Sequence, residues 1–340
     1  MKILELDDIV YKIQPFGGMT TYWQEVSRRL EEMMPGEIIH NPGVKYLRFM
    51  SVPSKATVFH SSHFRVSYSK GVKNVVTIHD LIYERGLAGG KAKWLNLYER
   101  RKSVARADSI ICISQSTKND LLEFYPEAAS KPIHIIYHGV SKLVENSNKQ
   151  EFLASFKNKY KFELQSTKYF LYVGGRGAYK NFSALIDAFQ RGGFKDQGYK
   201  IICTGKHFSP EEMQHIQALS LTDSLISLGK VDMKDLGQIY AHALALVYPS
   251  LFEGFGLPPL EAMMSECPVI CVNTSSLPEV VGDAGILVTE KNTNELVDAL
   301  HAVLSEKERQ RLIAAGLENV KRFTWEKSAQ QHFDVYQSLI

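Results

Sequence analysis

The chain has 340 residues, 44% of them hydrophobic and 23% charged, with a formal net charge of +3. This is ordinary for a globular protein, and the length suits two domains of ~100–200 residues each. No apolar run approaches the ~18 residues that would span a bilayer. "MKILELDD" lacks the apolar stretch of a signal peptide, so the expectation is a cytoplasmic chain. Cys112, Cys203, Cys267 and Cys271 fit neither a zinc pattern nor a C-x-x-C redox pair, so they are expected to be free core thiols. The charge is uneven, +6 over residues 1–150 and −3 over the rest. A basic first half suits an anionic substrate or a membrane surface.

In chain order, the first half alternates β-rich runs with helical patterns. "KILEL" leads to a glycine turn at Gly17-Gly18, and "TTYWQEVSRRL" reads as an amphipathic helix. "EIIH", "TVFHSS", "NVVTIHD", "SIICIS" and "IHIIYHGV" read as strands. "STKNDLLEFY" reads as a helix with Ser116 as its cap. Residues 91–106, "KAKWLNLYERRKSVAR", read as a basic helix packed by Trp94, Leu97 and Tyr98, or as a segment lying on a membrane. The polar stretch 141–150 is the candidate linker.

The second half alternates more plainly. "YFLYVGG", "YKIICTG", "LISLG", "LALVYPS" and "PVICV" are separated by helical patterns, which implies a parallel sheet covered on both faces. At the end, Trp325, Ala329, Phe333, Tyr336 and Ile340 form one helical stripe.

Ligands of parallel α/β domains sit at the carboxyl ends of the strands. After "YFLYVGG" comes Arg176-Gly177-Ala178-Tyr179-Lys180, two cations among glycines, which suits a diphosphate. Gly175-x-Gly177-x-x-Lys180, with Asp196 downstream, nearly gives a dinucleotide fingerprint. The third glycine is a lysine, which sets that reading aside. After "LALVYPS" comes "SLFEGFGLPPLEA". Pro258 and Pro259 start a helix, which puts Glu261 in its first turn and Glu253 in the loop before it. Gly254 and Gly256 let that loop fold tightly and offer amides to an anion. His79 and Asp80 follow the strand "NVVTIHD". No paired histidine spacing and no D-x-D triplet points to a metal, so none is expected; Arg176 and Lys180 would take its place beside a diphosphate.

These stretches resemble the family-four retaining glycosyltransferases of the GT-B fold. "YVGGRGAYKNF" and "SLFEGFGLPPLEAMMSECPVICVNTSSLPEVVGDAGILV" carry the match, with "VVTIHD" and "ICISQSTKNDL" more weakly. It runs from about Tyr169 to Trp325 and is looser over residues 1–140. The compact "RGAYK" resembles transferases of bacterial surface polysaccharides, mannosyltransferases among them. Glu266 stands where many relatives have glycine.

The resemblance implies an α/β GT-B architecture of two Rossmann-like domains facing across a cleft. Residues 1–142 would be the acceptor side and residues 143–324 the nucleotide-sugar donor side, with a helix at 325–340 returning to the first domain. Arg176 and Lys180 would grip the donor diphosphate, and Glu261 would bind the ribose. Glu253, Gly254, Phe255, Gly256 and Leu257 would hold the transferred sugar and distal phosphate. Gly17 and Gly18 would close on the phosphates, His79 would contact the donor sugar, and Lys230 and Val231 would lie beside the base. His79, Glu253, Arg176 and Lys180 are the implied catalytic set.

The expected partners are a nucleotide-sugar donor, GDP-mannose first, and a glycan or lipid-linked acceptor. No cofactor and no nucleic acid is expected. Peripheral contact with the inner membrane face would run through the basic first half. A GT-B epimerase or phosphorylase, or a non-catalytic nucleotide-binding module, are the alternatives.

Overall fold

Short runs rich in Val, Ile and Leu, apolar on both faces, form parallel strands because helices cover both sides of such a sheet. A computed structural model describes residues 3–45, 48–90, 93–143 and 149–340. Residues 144–148 of the linker stretch, and Lys91 and Ala92 of the basic stretch, lie outside the described residues. The chain divides into two units: Met1–Gly139 with Phe323–Ile340, and Val140–Arg322.

In the first unit, β1 (Leu4–Asp7), β2 (Ile38–Asn41), β3 (Val58–Ser61), β4 (Lys73–Ile78), β5 (Ser109–Cys112) and β6 (Ile133–Ile135) lie in the order β2-β1-β3-β4-β5-β6. Every pairing is parallel. Tyr22, Trp23, Val26 and Leu30 of the helix Gly18–Met33 are buried against this sheet. The C-terminal helix Trp325–Gln337 packs on that same helix, with Trp325, Val335 and Tyr336 in the core. Each such large apolar side chain contributes roughly 1.5–3 kcal/mol on burial. Ile340 is the exception in the expected stripe: it is 59% exposed, because the helix ends at Gln337 and the last residue lies past the packed face.

In the second unit, β7 (Tyr169–Val173), β8 (Lys200–Thr204), β9 (Leu225–Gly229), β10 (Ala245–Tyr248), β11 (Val269–Val272) and β12 (Ile286–Val288) lie in the order β12-β11-β10-β7-β8-β9. All are parallel. Aromatic rings cluster within this core: Phe170, Phe182, Phe189 and Phe194 are buried together among aliphatic side chains. The four cysteines are buried free thiols.

Two local expectations are corrected. The cap of the helix Gln115–Phe124 is Ser114, whose side chain accepts from the Thr117 amide; Ser116 lies inside the helix. The strand before it ends at Cys112, so the helix starts sooner than the sequence pattern implied. The helix Lys93–Arg106 is not packed by Trp94 and Tyr98, which are 78% and 61% exposed. Its buried face carries Asn96, Glu99, Arg100, Ser103 and Val104 instead. Arg100 is held inside by Glu84 and lies over the Phe64 ring. An ion pair and a ring hold the guanidinium on the buried face, and the two aromatics face solvent.

Candidate active site at the carboxyl edge of the second sheet

From β7 the chain winds outward through β8 and β9, then crosses back to build β10, β11 and β12 on the other side. The loops after β7 and β10 therefore diverge, and a crevice opens between them at the switch point of the sheet. Gly174, at the end of β7, has φ +114°, which favours glycine. A side chain at Gly174 or Gly175 would meet nothing within 4 Å, so backbone is laid bare there. The Tyr172 hydroxyl donates to the Gly175 carbonyl at 2.8 Å and fixes the turn. The Leu251 amide donates to the Tyr179 carbonyl at 2.8 Å, so the β7 and β10 loops are joined across the switch point.

Lys180 and Glu253, 73 residues apart, meet there: Lys180 Nζ lies 2.6 Å from Glu253 Oε1 and 3.4 Å from the Tyr248 hydroxyl. Their side chains are 17% and 12% exposed. A lysine is a compact point charge on a flexible stem, so it can exchange this carboxylate for another anion.

Arg176 is placed differently from the expected two-cation grip. Its side chain is 4% exposed. Nε donates to Glu212 Oε1 at 2.8 Å, and Nη2 donates to the carbonyls of Lys206 and His207, both at 2.7 Å. The guanidinium lies over the rings of Phe182 and Phe208. Nη1 is buried without a hydrogen-bond partner. Glu212 uses its other oxygen to accept from the Ser209 amide, completing the capping box of the helix Pro210–Ala218. In this structure Arg176 organises the loop after β8.

The stretch from Glu253 to Leu257 is pinned by the turn after β11. The Glu253 amide donates to Ser275 Oγ, and Ser276 Oγ donates to the carbonyls of Glu253 and Phe255 at 2.9 and 2.8 Å. Gly256 has φ +100°, and a Cβ there would come within 2.9 Å of Leu277 Cδ2. The helix Leu257–Met264 follows, with Pro258 and Pro259 in its first turn. Glu261 is the fifth residue of that helix, one step past the expected first turn, because Leu257 is already helical. It accepts from the Tyr240 hydroxyl at 3.1 Å, and burial pushes its carboxyl up from the usual range. Lys230 and Val231 follow β9 directly.

Gly17, Gly18 and His79 stand at the carboxyl edge of the first sheet. Gly17 has φ +126° and precedes the helix that Gly18 begins. His79, buried, sits edge-on to Tyr22 at 5.0 Å between ring centroids. Burial, with smaller effects from Arg100 and His332, pulls its pKa down to about 4 against the opposing pull of Asp80. Its imidazole is therefore neutral at pH 7 and brings hydrogen bonds without charge.

Several residues that complete the site carried no signal in the sequence. Ser275 and Ser276 act through hydroxyls on a distant turn, and Tyr172, Tyr240 and Tyr248 lie inside runs whose strand or helix pattern says nothing of their hydroxyls. Neither the capping box of Ser209 and Glu212 nor the use of Glu212 by Arg176 was read from the sequence.

The domain family described as "Glycosyltransferase Family 4" matches residues 38–142, and the one described as "Glycosyl transferases group 1" matches residues 155–319. The "O-antigen chain mannosyltransferase B" of Escherichia coli is 36% identical over 184 residues, covering 53% of this chain and 48% of that protein. The chain spans about half the length of the curated relatives it matches. Among solved structures, sucrose-phosphate synthase from Thermosynechococcus elongatus superposes with a TM-score of 0.74 at 18% identity, covering 100% of this chain and 99% of that one. Anabaena HepE, solved with UDP and glucose, also gives 0.74, at 19% identity, covering 99% and 100%. The fold is that of the GT-B glycosyltransferases.

Proposed function

As this chain belongs to the glycosyltransferases, with a family 4 domain and a group 1 domain, we propose that it transfers a hexose from a nucleotide sugar to a glycan or lipid-linked acceptor, with retention at the anomeric carbon. The carrying observation is the Lys180–Glu253 pair at the switch point of the second sheet, beside the bare backbone of Gly174 and Gly175. Mannose from GDP-mannose is the preferred donor. The compact "RGAYK" loop and the mannosyltransferase named among the relatives support that choice.

In this reading the bond between the anomeric carbon and the phosphate oxygen breaks. The acceptor oxygen bonds to the same face of that carbon, and its proton passes to the leaving phosphate. The protein's contribution is electrostatic, stabilising charge that builds on the diphosphate. Lys180 releases Glu253 to meet the diphosphate and stands in for a divalent ion. Glu253 then accepts from hydroxyls of the donor sugar, which a carboxylate does well because it only accepts. Glu261 receives the ribose hydroxyls. His79, neutral, offers a hydrogen bond without opposing the positive charge that develops on the sugar. The chain works at the cytoplasmic face of a membrane that holds its acceptor. Support for the membrane contact comes from Trp94 and Tyr98, which project beside the exposed Arg101. Among the described residues, no helix is long and apolar enough to cross a membrane.

The test is product analysis. Incubation with GDP-mannose and a mannose-terminated acceptor should give a mannoside with the donor's anomeric configuration. A folded protein that releases no sugar from any nucleotide donor, or a product of inverted configuration, would overturn the proposal.

A further inference from the structure

Three glycines, one at the exit of each of β7, β8 and β9, bring their loops together at the backbone. A Cβ on Gly205 would come within 2.7 Å of the Gly174 carbonyl oxygen, and the Gly205 amide donates to the Gly229 carbonyl at 2.8 Å. His207 extends from this junction. Its carbonyl is held by Arg176 at 2.7 Å, so its backbone is fixed while its side chain remains exposed. The imidazole reaches the exit of β9. Nδ1 lies 3.3 Å from Ser227 Oγ, and Nε2 would be 2.9 Å from a Cβ on Gly229. Gly229, with φ +69°, thus leaves room for the ring. Lys230, the next residue, is exposed.

Adjacent strands are about 4.8 Å apart, so the exits of β8 and β9 lie roughly 5 and 10 Å along the sheet edge from β7. That is the reach of a nucleoside from its diphosphate. The ribose side points the same way: Glu261 is bonded to Tyr240, on the helix Met233–His242 that follows β9. An exposed aromatic ring on a fixed backbone, next to a glycine that clears space for it, suits a planar ligand. We propose that His207, its ring seated against Gly229, forms one wall of the nucleobase subsite of the donor, and that the base stacks on its imidazole. This rests on the nucleotide-sugar reading and adds the residue that sets base affinity. His207 is not required for the diphosphate contact, which Lys180 makes.

Calorimetric titration of the whole chain with GDP, UDP, dTDP and inorganic pyrophosphate tests this. His207→Ala should weaken the preferred nucleoside diphosphate about tenfold, the size of a lost base stack, and leave pyrophosphate affinity unchanged. His207→Phe, which keeps a stacking face, should hold nucleotide affinity within about threefold of the native chain. Nucleotide affinity unaltered in His207→Ala, or an equal loss for nucleotide and pyrophosphate, would overturn the subsite while leaving the nucleotide-sugar reading intact. A native chain that binds none of the three nucleotides would overturn both. The side chain is exposed, so the variants should fold; matching thermal midpoints confirm it.

Discussion

Lys180 and Arg176 show why residues with similar chemistry take different roles. Lys180 is held by a single carboxylate at 2.6 Å and stays partly open to solvent. Arg176 is buried by one carboxylate, two carbonyls and two rings. Lys180→Ala should lower kcat/KM for sugar transfer at least about a hundredfold, as expected for losing one preorganised group that faces developing charge. The thermal midpoint should hardly move; steady-state kinetics beside a melt separate the two. Arg176→Ala should instead cost about 3–5 kcal/mol of stability, because Glu212 would keep its charge without its partner. Urea denaturation checks this, and an unchanged midpoint would return Arg176 to a role at the ligand. The sequence placed both cations after β7 correctly. It could not place the guanidinium, because the groups that hold it lie about thirty residues downstream in a different loop.

The loop Glu253–Leu257 and two helices carry the predictions about elements. Gly256→Ala would force a side chain onto Leu277 at a backbone angle that only glycine adopts easily, at a cost of roughly 1–3 kcal/mol. Transfer should fall with it, since Glu253 is held at the other end of the same short loop. Kinetics at a temperature well below the melt check that. The helix Lys93–Arg106 inverts its expected pattern because Arg100 finds Glu84 and Phe64 inside the unit. Trp94→Ala with Tyr98→Ala should therefore leave stability nearly unchanged and reduce sedimentation with anionic vesicles. Arg101→Glu should act in the same direction. Binding that is equal in all three chains would remove the membrane contact.

The C-terminal helix docks through imidazoles and phenols: His332 Nε2 is 2.6 Å from the Tyr22 hydroxyl, and His60 Nδ1 is 2.6 Å from that of Tyr336. Burial pulls His332 and His79 down to about 4, and His60 and His138 well below the ordinary value. The unfolded chain then binds more protons than the folded one below about pH 6.5. These histidines cost the fold nothing at neutral pH and destabilise it increasingly from pH 6.5 towards 4. Asp7, which burial raises to about 6, works the other way and only partly offsets this. The urea midpoint of the first unit should fall between pH 7 and pH 5; a rise would contradict the assignment.

Over the whole chain, the alternation of apolar runs and helical patterns was enough to read two parallel α/β units, and eleven strand segments were placed from it. β12 was not read as a strand, because its apolar run is only Ile286–Val288, whereas three-residue β6 lies inside the longer run "IHIIYHGV". The site was legible where chemistry is local, in "RGAYK" and "EGFGLPPLE". It was not legible where hydroxyls and rings arrive from other strands, as Ser275, Ser276, Tyr248 and His207 do. Strand order, which no local pattern encodes, is what brings Lys180 to Glu253. The most direct test of that convergence is the affinity of GDP for the native chain and for Lys180→Ala, measured by calorimetry at one salt concentration. Binding by the native chain, weakened at least about tenfold by the loss of the charge that meets the diphosphate, is the predicted result. No nucleoside diphosphate bound by the native chain, or equal affinity in the two chains, would contradict it.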